Sequence, residues 1–316
     1  MIARRALLAT PLLAAPALAQ RPPRRLGALV LTERAAALLR LHLLPELARR
    51  GWREGETLSL DLHVAPARGQ PEAARALVAA APYAIIAVSA PAIEAARAAT
   101  SRIPIIMHGA DFRLLAGTPM ARPGSNATGV ALNTVESELK RAELAAELTP
   151  EATAIGALFY RGTAGRAERE AAMGVAATRS GKRLEVFEIT SVSEFPAALA
   201  AMRAQGIGAV VLAGTPEALN DIDSLAPAAR AAGIATICLG SMMVEAGCLL
   251  SHGPSFGAVY QRVAHHLALV LRGVPPGEIP IEAPERSETV IHLGVAAGIG
   301  LTVPIPILAR ADLVLE

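Results

Sequence analysis

Apolar runs of strand length alternate with longer stretches of helical spacing along most of this chain. Residues 26–31 form a short apolar run and predict a buried strand. Residues 33–50, rich in Ala, Leu and Arg at helical spacing, predict a helix closed by Gly51, where glycine suits a helix end. Leu58, Leu60, Leu62 and Val64 alternate with other residues and predict a strand over 57–64. Helices are predicted over 71–81 and 91–100, and strands over 83–88 and 103–107. The segment Arg122-Pro123-Gly124-Ser125-Asn126 interrupts the rhythm. It resumes with strands over 128–132, 154–160, 184–189, 209–212 and 235–239, interleaved with helices over 135–148, 164–180, 194–205 and 216–232. Such alternation predicts α/β architecture, with parallel sheets covered by helices on both faces. It divides into two units of comparable size joined near residue 130. The tail is less regular: a strand over 248–251, a helix over 257–271 ending at Gly273, a turn at 274–277, a strand over 288–293, and helical turns at 295–298 and 307–311.

The two units share a local pattern. Tyr83-Ala84-Ile85-Ile86-Ala87-Val88-Ser89-Ala90-Pro91 resembles Gly208-Ala209-Val210-Val211-Leu212-Ala213-Gly214-Thr215-Pro216. Each apolar strand ends at small residues, followed by a proline where a helix begins. Each of those helices leads to a second apolar strand ending in glycine, at Gly109 and Gly240. A duplicated architecture explains this, and so does the general preference of βαβ units for such residues.

The first residues read as an export leader. Arg4 and Arg5 form a basic start, residues 7–18 an apolar core, and Ala17-Leu18-Ala19 a small-x-small cleavage site. Pro11 and Pro16 argue against a core helix there. The apolar stretch 6–19 is shorter than the roughly 20 residues of a membrane span. The arginine pair also resembles a twin-arginine leader. The chain is 53% hydrophobic and 18% charged, so it can bury a large core. Its formal charge of +2 excludes a polyphosphate binder. Cleavage after Ala19 removes two arginines and no acid, leaving 28 basic against 28 acidic residues. Aromatics are 3% of the chain, which argues against base stacking and gives each ring near a strand end added interest.

Several chemistries are excluded on spacing. Gly181-Lys182 lacks the upstream glycine and following hydroxyl of a phosphate loop. No serine sits in a G-x-S-x-G elbow. His265 and His266 are adjacent, so on a helix they diverge and cannot chelate as an i, i+4 pair does. Asp221 and Asp223 lack the rest of a calcium loop. Cys238 and Cys248 lie in apolar runs and read as buried thiols, with a disulfide as the alternative. Asn126-Ala127-Thr128 is a glycosylation sequon whose simpler reading is a loop. No catalytic cluster, metal site or cofactor motif stands out.

Two α/β lobes bind ligands between the carboxyl ends of their strands. The candidate residues therefore lie just past strands. Ser89 and Ala90 open a helix whose free amides suit an anion, or serve only as its cap. Thr215 does the same in the second unit. Asp111 follows a strand and could hold a ligand ammonium or cap a turn. Phe112, Tyr160 and Phe256 could stack on a ligand or belong to the core. Arg161 follows Tyr160, and Ser241 falls at the edge matching that of Asp111.

Five segments then point to a family. Gly51-Trp52-Arg53-Glu54-Gly55-Glu56, Ala99-Thr100-Ser101-Arg102-Ile103-Pro104-Ile105 and Arg122-Pro123-Gly124-Ser125-Asn126-Ala127-Thr128-Gly129 occur in order, as do Val244-Glu245-Ala246-Gly247-Cys248-Leu249-Leu250-Ser251-His252-Gly253 and the run from Gly300-Leu301-Thr302-Val303-Pro304 to Glu316. Together they resemble a bacterial family of ABC-transporter substrate-binding proteins, which includes tryptophan- and tyrosine-binding lipoproteins. The resemblance implies a type I periplasmic-binding-protein fold: two Rossmann-like lobes joined by crossover strands that close on a ligand and deliver it to a membrane permease driven by an ATPase. It places lobe 1 at 26–131 plus 253–283, and lobe 2 at 132–252 plus 284–316. It implies ligand contacts at Ser89, Ala90, Asp111, Tyr160, Arg161, Thr215 and Ser241, to which the reading of the scarce rings adds Phe112. The chain departs from the family pattern at Thr32-Glu33, at Gly109-Ala110-Asp111-Phe112 and at Tyr160-Arg161-Gly162-Thr163. These are cleft loops, so an aromatic amino-acid ligand does not carry over. The reading is an exported, non-catalytic solute binder, periplasmic and monomeric, with a small-molecule ligand, no cofactor and no nucleic acid. A sensing subunit for a membrane receptor and an isomerase-type enzyme are the alternatives.

Overall fold

The computed structural model describes residues 22–111 and 118–316. The expected leader and Phe112 lie outside the described residues. The first sheet contains β1 (Arg24–Val30), β2 (Leu58–Val64), β3 (Ala84–Val88), β4 (Ile105–Asp111) and β5 (Ala127–Leu132), all parallel, in the order β2-β1-β3-β4-β5. The second contains β6 (Ala154–Tyr160), β7 (Arg183–Ile189), β8 (Ala209–Leu212), β9 (Ala235–Cys238), β10 (Leu250–Pro254), β11 (Ser287–His292) and β12 (Leu313–Leu315). Their order is β12-β11-β10-β9-β8-β6-β7, and β11 runs antiparallel to β10. Every residue of β3, β6, β8 and β9 is buried, as strands covered on both faces must be, which is why they read as unbroken apolar runs. β2 and β7 lie at sheet edges and are only partly buried, which accounts for their mixed sequences.

Helices connect the strands: α1 (Glu33–Leu38), α2 (Leu44–Arg49), α3 (Gln70–Ala79), α4 (Ala90–Ala99), α5 (Thr134–Leu148), α6 (Arg166–Arg179), α7 (Phe195–Ala204), α8 (Pro216–Asn220), α9 (Ile222–Ala231), α10 (Ser241–Glu245), α11 (Phe256–Leu271), α12 (Leu293–Gly298) and α13 (Ile305–Leu308). Two predicted helices are interrupted. Between α1 and α2 lies a π-helical stretch, Leu39–Leu43. Pro45 has no N–H and its ring crowds the carbonyl four residues earlier, so the wider turn accommodates it. The helix predicted over 216–232 is split at Asp221, whose backbone leaves the helical region. Helix α10 and strand β12 were not predicted, because five and three residues are too few to show a period.

After β10 the chain returns to the first sheet. Helix α11 packs on β3, β4 and β5 and against α2, and the chain then re-enters the second sheet as β11. The Asn126–Gly129 motif secures this return. Asn126 Nδ2 donates to the carbonyls of Thr100 (3.1 Å) and Ile103 (2.8 Å), so the sequon amide is used internally. Thr128 Oγ1 donates to Ile279 O at 2.9 Å, and the Glu282 amide donates to Gly129 O at 3.0 Å. Gly129 has φ +146°, and a Cβ there would sit 2.1 Å from Met107 O, so only glycine fits. The motif is scaffold. Cys238 and Cys248 are both buried and unbridged.

Candidate functional site

The carboxyl ends of both sheets meet at one cleft of about 350 Å³. From the first sheet it is lined by Leu31 after β1, by Ser89, Ala90 and Pro91 after β3, and by Gly109 and Asp111 at the end of β4. From the second come Arg161 to Gly165 after β6, with Glu168 and Arg169 on α6, and Gly214 to Glu217 after β8. Thr134 and Val135, where the chain crosses between sheets, complete it.

Ser89 is the N-cap of α4 and has φ +78°, ψ 160°, a conformation that costs a residue with a side chain and that persists only where its surroundings impose it. Its amide donates to His108 O at 2.7 Å, and its carbonyl accepts from Ile93 at 3.1 Å. Its hydroxyl is buried and has no partner among the described residues. Of the first turn of α4, Ala90 and Pro91 line the cleft; Pro91 has no N–H, so the Ala90 amide, which has no intrahelical acceptor, is the one donor this turn brings there. Across the cleft, Thr215 caps α8, its Oγ1 accepting from the Ala218 amide at 3.1 Å.

Beneath the Gly214 loop lies a buried charged cluster. Glu138 on α5 accepts from Arg169 Nε at 2.7 Å, from Arg169 Nη2, and from the Gly214 amide at 2.9 Å. Arg169 Nη2 also donates to Gly214 O at 3.1 Å. Arg141, one turn further along α5, approaches Glu138 at 3.4 Å and is fully buried, with no hydrogen-bond partner for its guanidinium nitrogens among the described residues. Burial alone would raise the Glu138 carboxyl; the Arg169 hydrogen bonds and charge, the Arg141 charge and the Gly214 amide together hold it below its ordinary value. Burial drives Arg141 below its ordinary value, with Glu138 opposing. The cluster ties the Gly214–Thr215 loop to α5 and α6.

Ser89, Ala90, Asp111, Arg161 and Thr215 are therefore brought together at the cleft. Asp111 is also the cap of α5: its Oδ2 accepts from the amides of Thr134 (2.9 Å) and Val135 (3.3 Å). Arg161 donates to Glu188 at 2.9 Å, a carboxylate that Arg166 also engages. Tyr160 and Ser241 do not line the cleft. The Tyr160 ring is buried, and its hydroxyl donates to Asp221 Oδ2 at 2.6 Å, pinning the break between α8 and α9. Burial, with the Asp221 hydrogen bond and charge, pushes this phenol well above its ordinary value. Tyr160→Phe should destabilise the protein by about 1 kcal/mol, the worth of one hydrogen bond, as read from denaturant midpoints; an unchanged midpoint would remove this role. Ser241 starts α10, and Phe256 starts α11 with its ring packed over Gly240, where a Cβ would lie 2.6 Å away. Sequence reading missed Glu138, Glu168, Arg169 and Glu217. One signal was available: Glu138 and Arg141 share the helical stripe of Ala142 and Ala145, the buried face of α5.

Two lobes, one a parallel sheet and the other parallel except at β11 and β12, each wrapped by helices, with a cleft between their strand ends, define the type I periplasmic-binding-protein fold. The sequence pattern of ABC transporter substrate binding proteins matches residues 43–315, and the chain belongs to that family. Similar solved structures include an ABC domain in complex with L-Trp from Streptococcus pneumoniae (20% identity, TM-score 0.82, 93% of this chain and 100% of that one). Another is a conserved domain protein from Vibrio cholerae (23%, 0.82, 93% and 100%). A third is a ligand-free, open substrate-binding protein with adhesive properties from Clostridium difficile (18%, 0.64, 93% and 99%). No curated relative matches the chain. Among the described residues no helix is long and apolar enough to cross a membrane.

Proposed function

We propose that this chain is the extracytoplasmic solute-binding component of an ABC importer and captures a small polar ligand, an amino acid or a related carboxylate, by closing two lobes around it. The observation that carries the reading is the cleft itself. Both sheets present strand ends to it, its volume of about 350 Å³ suits a small molecule, and the Ser89 hydroxyl beside it has no partner among the described residues. Lobe 1 comprises residues 26–131 and 253–283, and lobe 2 residues 132–252 and 284–316; the packing of α11 on β3, β4 and β5 supports this division. Ser89, Ala90, Asp111, Arg161 and Thr215 contact the ligand. Ligand bound to both walls stabilises the closed arrangement over the open one and shifts the population toward it. The protein is a monomer that docks on a permease and its ATPase, after a leader cleaved near Ala19 has directed it to the periplasm. It needs no cofactor and performs no chemistry on its ligand.

Thermal-shift screening of residues 20–316 against amino acids, other carboxylates and nucleosides, followed by calorimetry, tests the reading. A ligand at about 100 times its Kd should add about 2.7 kcal/mol of stability. A broad panel without a single stabilising compound would sink the proposal.

A further inference from the structure

Among the described residues, the charges that line the cleft do not balance once their existing partners are assigned. Asp111 is held by the amides that start α5. Arg161 and Arg166 share Glu188, and Arg169 is held by Glu138 and the Gly214 carbonyl. The charged groups left on the lining are Glu168 and Glu217, both on the second-sheet wall, and neither has an ion-pair or hydrogen-bond partner among the described residues. Two carboxylates on one wall of a concave site repel each other and lower the potential there, which favours a cation. The opposite wall offers the reverse chemistry. Ser89 is 7% exposed, its hydroxyl has no partner among the described residues, and it opens the ten-residue helix α4, whose Ala90 amide at the cleft suits an oxygen. The apolar lining between the walls is aliphatic: Leu31, Ala67, Ala90, Pro91, Val135 and Pro216.

We infer that the ligand is a small aliphatic compound of net positive charge, with a protonated amine or guanidinium against Glu168 and Glu217 and a carboxylate or carbonyl oxygen at Ser89 and the start of α4. This rests on the solute-binding reading and narrows it. A diamino acid meets both walls. A neutral or acidic ligand would leave the two carboxylates of the second-sheet wall without a counter-charge in a cleft that has lost water on closure.

Calorimetry on residues 20–316 with L-lysine, L-arginine and cadaverine, against L-norleucine, L-glutamate and L-tryptophan, tests the charge requirement. A cationic amino acid should bind at least about tenfold more tightly than norleucine, the worth of a charge-assisted hydrogen bond. Its affinity should fall with added salt. The double variant Glu168→Gln, Glu217→Gln should lose roughly tenfold or more for the cations. Ser89→Ala should weaken lysine about three- to tenfold and leave cadaverine, which has no carboxylate, unchanged. Norleucine, glutamate or tryptophan binding as tightly as the cations would overturn the inference and leave solute binding intact. So would full affinity for the cations in the double variant, or a stabilising hit from the broad screen when the cations are silent. A broad screen with no hit at all would remove the solute-binding reading and this inference with it.

Discussion

Glu138→Ala should destabilise the protein by about 3–5 kcal/mol, the range measured when one partner of a buried ion pair is removed. Glu138 is fully buried and holds Arg169, the Gly214 amide and, at longer range, Arg141. Without it two guanidinium groups, at most 7% exposed, lose their counter-charge in a medium that solvates ions poorly. The Gly214–Thr215 loop would also lose its tether, so ligand affinity should fall together with stability. Glu138→Gln keeps the volume and one acceptor and should fall between wild type and Ala. Arg141→Met offers the contrast. That guanidinium has no hydrogen-bond partner, so replacing it with an apolar chain of similar length should cost less than Glu138→Ala. Urea unfolding of the three variants checks the order. Equal losses for Arg141→Met and Glu138→Ala would contradict the account of the cluster.

Acid should remove about 3 kcal/mol of stability through one buried histidine. His108 on β4 lies against Tyr260, with ring centroids 4.9 Å apart, and its Nδ1 has no partner among the described residues. Burial pushes its pKa from 6.5 down to about 4. The folded protein therefore keeps the ring neutral at pH values where the unfolded chain already binds a proton. Above pH 6.5 neither state is charged at this site and stability is unaffected by it. As pH falls from 6.5 toward 4 the unfolded state gains the proton first and stability declines; below that both states carry it and the decline ends. His252, lowered to about 4 by burial and then by the Arg141 charge, acts in the same window with less weight because it is partly exposed. Stability measured from neutral pH to about 4.5 should fall in wild type and fall less in His108→Leu. Parallel curves for the two proteins would rule out His108 as the source.

Much of the fold was legible because each element announces itself locally. β3, β6 and β8 are apolar runs since helices cover both their faces, and the edge strand β2 mixes apolar with polar residues since it is only partly buried. Pro91 and Pro216 mark helix starts where a missing N–H does no harm. Pro45 shows the limit of local reading: the helix runs through it because a π turn absorbs the clash and the surrounding core holds α2 in line. The split at Asp221 is another case, since its partner Tyr160 lies 61 residues away.

The candidate site divides along the same boundary. Ser89, Ala90, Asp111, Arg161 and Thr215 could be named in advance because they follow strands, and in this architecture the strand ends of both lobes line the cleft. Tyr160 and Ser241 satisfied the same rule, yet the Tyr160 ring turns into the core toward Asp221 and Ser241 begins a helix away from the lining. By itself the sequence determined the order of the longer strands and helices, the two-lobe class and the family, but not the short α10 and β12. Which charges are already paired was decided only by the tertiary structure. Glu138 meets Arg169 from 31 residues away and Gly214 from 76, and Arg161 meets Glu188 from 27. Ion pairing depends on distance through space and on access to water, and neither is written in the spacing of residues along the chain. That is why Glu168 and Glu217, unremarkable in the sequence, emerge as the free charges of the cleft among the described residues only after their neighbours have found partners.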